Sequence, residues 1–440
     1  MYDFLMTPQE LKSLDRRLTQ FLKDLLAPMG RNERRHWARV YLQGLLLDGE
    51  RKSIEPMASR ISGADVQALR QFVGQSPWAV EEIQRRLALK MVDLLSEPEV
   101  WIIDDTSFPK AGKHSVGVAR QYCGALGKVA NCQVAVTVHW SSSEASCPLG
   151  WRLYLPKEWL EDPGRGAEVK LPAGLKYKTK IELALELMDQ MLGWGLPLLP
   201  VVADSFYGND FSFREELRHR KLSYVVAVEP STVAWDRDPN LPLPPPKRTG
   251  RPRCYPPLEA LARPQDLLTI AQQLPASAWR TITWREGTRG MLRSRFARIK
   301  VWAAHGWRAR EHPQRVAEWL LMEWPKEETQ PIKYWLASLG AKPPGMRQLA
   351  RLARSRWRIE LDYRELKDEL GLDHYEGRHW LGWHHHVTLI TLAYAFLRAE
   401  QARIKKNSWC DLASSAQEVT DNSDPTERLL PLVPGKVSKN

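Results

Sequence analysis

Val100-Trp101-Ile102-Ile103-Asp104-Asp105-Thr106 and, about a hundred residues further on, Val201-Val202-Ala203-Asp204-Ser205 decide how this chain is read. Each is an apolar run without helical spacing that stops at an acid. Strands buried in a parallel sheet read as continuous apolar runs, and ligands collect at the carboxyl ends of such strands. Around these two runs, the Gly-punctuated stretch Gly112 to Gly127 precedes an alternating segment, Cys132 to Trp140, that predicts a strand. Thr179 to Leu192 has helical period, and Leu196 to Ala203 predicts a buried strand ending at Asp204. Asp210 to Arg220 predicts a polar helix, and Leu222 to Val228 another strand. The fold class is α/β. An Asp at a strand end also serves as a helix cap, so one is weak and two are suggestive.

On the N-terminal side, Thr7 to about Ser96 reads as helices. Apolar residues fall at helical spacing in Leu18-Phe21-Leu22-Leu25, in Val40-Leu42-Leu45-Leu46 and in Ile83-Leu87-Leu89. Breaks fall at Pro28-Met29-Gly30, at Asp48-Gly49-Glu50, near Ser62-Gly63, and at Ser76-Pro77, which opens the last helix. Short helices joined by tight turns can seat one helix in a DNA groove, and they serve equally as a cap on a larger domain. On the C-terminal side, Pro230 to Pro257 is a proline-rich basic linker containing Pro244-Pro245-Pro246. Trp279 to Trp284, Phe296 to Ala303, Val316 to Trp324 and Ile332 to Leu339 predict strands, and helical period returns from Met346 through Leu370. A β-rich insertion between two parts of one α/β domain accounts for this order.

The last helix carries Arg356-Trp357-Arg358-Ile359-Glu360-Leu361-Asp362-Tyr363-Arg364-Glu365-Leu366-Lys367. Residues four and seven apart share a helix face, so Arg356, Glu360 and Lys367 line up. One carboxylate between two cations resembles a metal ligand beside phosphate-binding groups, and a salt-bridged surface helix gives the same pattern.

Charge and composition narrow the function classes. The 440 residues suffice for two or three structural units, and 43% hydrophobic with 26% charged residues is globular composition. Lys and Arg number 64 against 52 Asp and Glu, a net charge of +12. Residues 241–310 hold 14 basic and 3 acidic side chains, whereas residues 1–100 hold 15 and 14. The excess therefore lies in one window, as a surface facing a polyanion or a solvated basic loop would place it. No apolar run is long enough to cross a bilayer, and Met1–Asp15 has no apolar signal core, so neither membrane insertion nor secretion is expected. Five cysteines without a CxxC pair predict reduced thiols in a cytoplasmic protein.

These motifs resemble those of bacterial insertion-sequence transposases of the DDE superfamily, in the group with the YREK signature, closest to insertion-sequence family 701. In that signature a Tyr is followed by Arg after two residues, Glu after three more and Lys after six more. Arg356, Glu360 and Lys367 match its last three positions, whereas Ala353 stands at the Tyr. The first family Asp is followed by Thr or Ser, which Asp105-Thr106 fits better than Asp104, and the second matches Asp204. Lys110 through Gly127, with Lys113-His114-Ser115-Val116-Gly117, also resembles the family, and the likeness spans roughly residues 35–400.

The resemblance implies an RNase H-like catalytic domain with a β-rich insertion, preceded by an all-helical N-terminal domain. The corresponding segments are 1–98 (helical, DNA-end recognition), 99–230 and 345–402 (catalytic domain), 231–344 (basic insertion) and 403–440 (tail). It implies Asp105, Asp204 and Glu360 as the catalytic acids and the ligands of two divalent cations, usually Mg²⁺, for which Mn²⁺ can substitute. Asp104, next to Asp105 on a strand, is expected to point elsewhere. Arg356 and Lys367 would hold phosphates flanking the cleaved bond. The implied partner is double-stranded DNA, both the element's terminal inverted repeats and the target, bound by a homodimer in the bacterial nucleoid.

Three further features bear on DNA. Lys247-Arg248-Thr249-Gly250-Arg251-Pro252-Arg253 resembles an AT-hook, which places Arg248, Arg251 and Arg253 on DNA, and it reads equally as a basic linker. Trp284, Trp302, Trp319, Trp324 and Trp335 fit either stacking on an unpaired base or a small core, and none is singled out. His384-His385-His386 would point to different sides of a helix, which argues against one metal site. A nuclease of this fold that cleaves without joining, and a non-catalytic DNA-binding descendant, are the competing readings. The retained acids disfavour the second.

Overall fold

The computed structural model describes residues 8–421 except 96–97, 143–144, 240–262, 288–289, 308–315 and 341–344. Five helices come first: α1 (Pro8–Leu25), α2 (Asn32–Leu46), α3 (Ile54–Ala58), α4 (Val66–Gln75) and α5 (Val80–Leu94). Leu18, Phe21, Leu22 and Leu25, Leu42 and Leu45, and Ile83 and Leu87 are buried, as their spacing predicts. After the strands β1 (Val100–Pro109), β2 (Ala119–Cys123), β3 (Lys128–Ser141) and β4 (Ser146–Leu153) come short α6 (Glu158–Glu161) and α7 (Pro163–Glu168), then α8 (Lys180–Gly193). There follow β5 (Val201–Ala203), α9 (Ser205–Gly208), α10 (Phe211–His219), β6 (Tyr224–Val228), β7 (Val233–Trp235), β8 (Gln265–Asp266) and α11 (Leu267–Gln272). The chain continues through β9 (Arg280–Gly287), β10 (Gly290–Ala303), β11 (Ala317–Trp324) and β12 (Lys333–Ser338) to α12 (Met346–Arg354), α13 (Trp357–Asp368) and α14 (Trp380–Asp421).

The twelve strands among the described residues join one mixed sheet, in the order β2-β3-β1-β5-β6-β12-β11-β10-β7-β8, with β4 on β3 and β9 on β10. The chain is thus α/β, and the strands of the insertion (231–344) do not stand apart. They prolong the sheet from β6, where Tyr334 to Ser338 of β12 pair antiparallel with Val228 to Tyr224. Arg214 of α10 ties the two halves together, its Nε 2.9 Å from Glu318 of β11, whose carboxylate also accepts from the Tyr224 hydroxyl at 2.6 Å.

Two strands differ from expectation. The apolar run at Val100 continues past its acids to Pro109, because β3 pairs with it along its whole length. The parallel partner β5 reaches only Trp101 to Ile103, so Asp104 and Asp105 lie just beyond the end of parallel pairing. The strand expected from Leu196 shrinks to Val201–Ala203. Pro197 and Pro200 have no N–H to give a ladder, so only the residues after them can pair.

The N-terminal helices share a core with the far end of the chain. Between Trp383 and Phe396, α14 is buried nearly all round, as a helix packed on both sides must be. Phe21 packs on Phe396 with ring centroids 5.6 Å apart, and the Tyr41 hydroxyl lies 2.8 Å from His386 Nδ1. On the other side Trp151 of β4 donates to Thr391 at 2.9 Å. No helix among the described residues is long and apolar enough to cross a membrane.

Candidate active site

Asp204 follows the parallel strand β5 and caps α9, its Oδ1 accepting the Phe206 and Tyr207 backbone N–H groups at 3.1 and 3.4 Å. This one-turn helix lies directly on β6. A Cβ on Gly208 would stand 1.8 Å from the Ala227 carbonyl oxygen, so only glycine lets α9 hold Asp204 where it is. Gly208→Ala is therefore expected to lower stability by about 1–3 kcal/mol, read from denaturant midpoints, because backbone must move to admit the methyl group. An unchanged midpoint would show that α9 yields without cost.

The paired acids of β1 face opposite ways. Asp104 pairs across the sheet with Thr137, whose hydroxyl contacts the Tyr363 hydroxyl of α13, so Asp104 lies on the α13 face. Arg356, the cap of α13, places Nη1 2.7 Å from Asp104 Oδ2 and spends Nη2 on Glu360. Asp105 turns toward α8, and its Oδ2 lies 2.7 Å from Lys180 Nζ. The expectation that Asp104 points away from the Glu360 helix is thus corrected. Strand alternation does separate the two acids, but the register with β3 gives the α13 face to Asp104.

All three aspartates remain electrostatic neighbours. Burial pushes the Asp104 carboxyl up to about 7, with Asp204 and Asp105 adding to the rise and Arg356 opposing it. Burial and then the charge of Asp105 raise Asp204. Asp105 raises both Asp104 and Asp204, so the three acids lie near one another at the carboxyl edge of the parallel strands, where such folds bind ligands.

A buried network fixes α13. Asp362, fully buried, takes hydrogen bonds from Ser146 at 2.6 Å and Tyr394 at 2.8 Å and meets His139 Nδ1 at 2.7 Å. Burial alone would raise its pKa, yet the bonds from His139, Ser146 and Tyr394 hold it below the usual range. Glu360, two residues earlier, stays on the exposed side with Arg356. Lys367 lies against β1, donating to the Ser107 carbonyl at 3.1 Å, and burial lowers its pKa. Ala353, at the signature's Tyr position, is buried in the core. Arg248, Arg251 and Arg253 lie outside the described residues. The three consecutive histidines do take separate partners: the Trp380 carbonyl, the Val73 carbonyl and Tyr41.

Sequence reading missed Lys180 and gave Asp104 no part. Thr179 caps α8 through a capping box with Glu182, a signal of a helix start that does not reveal where Lys180 reaches. The residues fit a hard divalent cation by kind, being oxygen donors crowded enough that added positive charge relieves their repulsion. Among the described residues, no three acidic, His or Cys side chains are grouped around one point. Lys180 and Arg356 neutralise these acids instead.

Residues 24–291 match the family of DDE superfamily endonucleases, and the chain belongs to it. Over 187 residues it is 35% identical to a protein of Microchaete diplosiphon described as the probable transposase for insertion sequence element IS701. That match covers 42% of this chain and 46% of the relative, so the chain spans about half the length of the curated relative it matches. Endonucleases of this superfamily generally use divalent metal ions.

Proposed function

We propose that this chain is an insertion-sequence transposase that cleaves DNA at the element's ends and joins the freed 3′-hydroxyl ends to target DNA. The observation that carries the reading is the gathering of Asp104, Asp105 and Asp204 where the parallel pairing of β1 and β5 ends, with Arg356 joining Asp104 to Glu360 on the α13 side. In this reading the core is RNase H-like, and Asp105, Asp204 and Glu360 hold two Mg²⁺ ions, replaceable by Mn²⁺. When bound, such ions activate the attacking oxygen and stabilise the leaving one. Arg356, with a planar fork and two acids already within reach, orients a phosphate beside Glu360. Lys367 supports the same strand from the β1 side. Residues 1–98 read the terminal repeat, and the basic window with Arg248, Arg251 and Arg253 grips flanking or target duplex. Two copies hold the two ends in one complex on the nucleoid.

The test is to mix the protein, Mg²⁺ and a DNA fragment carrying the element's ends. Joined products support a transposase. Nicks without joining establish the nuclease reading, and binding without either product establishes a non-catalytic descendant.

A further inference from the structure

Lys180 is the cation that neither the charge pattern nor the signature motif brings into the site. It begins α8, and its ammonium lies 2.7 Å from Asp105 Oδ2 and 5.2 Å from the centre of the Phe206 ring. Phe206 belongs to the turn that Asp204 caps, so Lys180 stands between the two aspartate-bearing segments. Both members of the ion pair are partly open, with side-chain exposures of 21% for Lys180 and 29% for Asp105. The carboxylate oxygen that accepts from this ammonium cannot offer the same lone pair to a second cation, and two positive charges on one carboxylate repel. The lysine stem is a flexible four-carbon chain, so its head can leave without moving α8.

We propose, resting on the reading of Asp105 as a metal ligand, that Lys180 is a displaceable counter-ion. It neutralises Asp105 while no divalent cation is present, releases it when one binds, and then takes a phosphate oxygen of the bound DNA strand. Cation entry and strand capture are thereby coupled through one side chain. No covalent step is involved, and Lys180 is a binding residue.

Two measurements test this on the full chain: Mn²⁺ affinity by paramagnetic resonance of the free ion, and the salt dependence of binding to a short duplex of unrelated sequence. Lys180→Met is expected to bind Mn²⁺ about two- to fivefold more tightly than wild type, the size an ion pair of this exposure carries. With Mg²⁺ present, wild type is expected to show a salt slope about one unit steeper than Lys180→Met, because one more phosphate contact releases its counterion. In chelator the two slopes should coincide, since Lys180 is then held by Asp105. Lys180→Arg keeps the charge and should retain the steeper slope. Equal Mn²⁺ affinities, or equal slopes in Mg²⁺, would overturn the proposal. Asp105→Asn separates it from its premise. If that variant binds Mn²⁺ as wild type does, Asp105 is no ligand and the site assignment itself falls. If it loses Mn²⁺ while Lys180→Met gains nothing, only the displacement is wrong.

Discussion

Replacing Asp204 by Asn is expected to lower Mg²⁺-dependent cleavage of element-end DNA by at least about 10²–10³-fold, the usual cost of removing one preorganised charge from a reacting centre. DNA binding should stay within about twofold, since one acid among a net +12 contributes little to a polyelectrolyte contact. The fold should survive, because Asn at this position still caps α9 with a side-chain oxygen. Glu360→Gln and Asp105→Asn are expected to behave in the same way. Asp104→Asn is the informative contrast. Asp104 is nearly closed to solvent at 8% exposure and is occupied by Arg356, so its replacement should loosen the guanidinium and slow cleavage by a smaller factor. If Asp104→Asn abolishes cleavage and Asp105→Asn does not, the β1 ligand is Asp104, and the Asp-Thr pattern chose the wrong neighbour.

That contrast marks where sequence stops being informative. The apolar runs at Ile102-Ile103 and Val201-Val202 betray burial on both faces, so two buried strands each running into an acid were legible, while their lying side by side and the continuation of the first past its acids were not. Which of two adjacent acids turns toward α13 was not, because a face is set by register against β3, a pairing about thirty residues away. Helical spacing predicted α1, α2 and α5 but could not say what covers them, since α14 returns to that end from beyond residue 380. The strands of the insertion (231–344) were legible one by one from Thr281-Ile282 through Trp335-Leu336. Their joining the same sheet through β12 and β6 was not, because edge-to-edge pairing leaves no local mark. Lys180 stayed hidden for a related reason: a lysine in the first turn of a helix looks solvated until the strand beneath it is known.

Acidification is expected to unfold this protein between pH 6.5 and about 4, well before its carboxylates are fully protonated. His385 and His386 of α14 are buried, at 0% and 1% exposure. Burial pushes their pKa values down to about 4 and about 3, and hydrogen bonds to backbone carbonyls offset only part of that. His385 stacks on Trp78 with ring centroids 3.7 Å apart and bonds the Val73 carbonyl, while His386 bonds Tyr41 and stacks on Tyr375. A histidine whose folded pKa is depressed takes up its proton only in the unfolded state once pH drops below about 6.5. Stability then falls as pH falls, by about 1.4 kcal/mol per pH unit for each histidine. His384, pushed down to about 4, adds a third such group. Asp104, raised to about 7, keeps in the folded state a proton that the unfolded chain gives up and offsets about one of them, leaving a net loss of about 3 kcal/mol per unit. Over two units that is comparable to the entire stability of an ordinary domain, roughly 5–15 kcal/mol. Urea titrations from pH 7.5 to 4.5 should therefore show stability dropping with an uptake approaching two protons on unfolding. His386→Gln should reduce that uptake by about one while costing stability at pH 7.5 through the lost Tyr41 contact. A flat profile between pH 6.5 and 4.5 would mean that these imidazoles reach water in the folded state, and that the N-terminal helices do not close over α14.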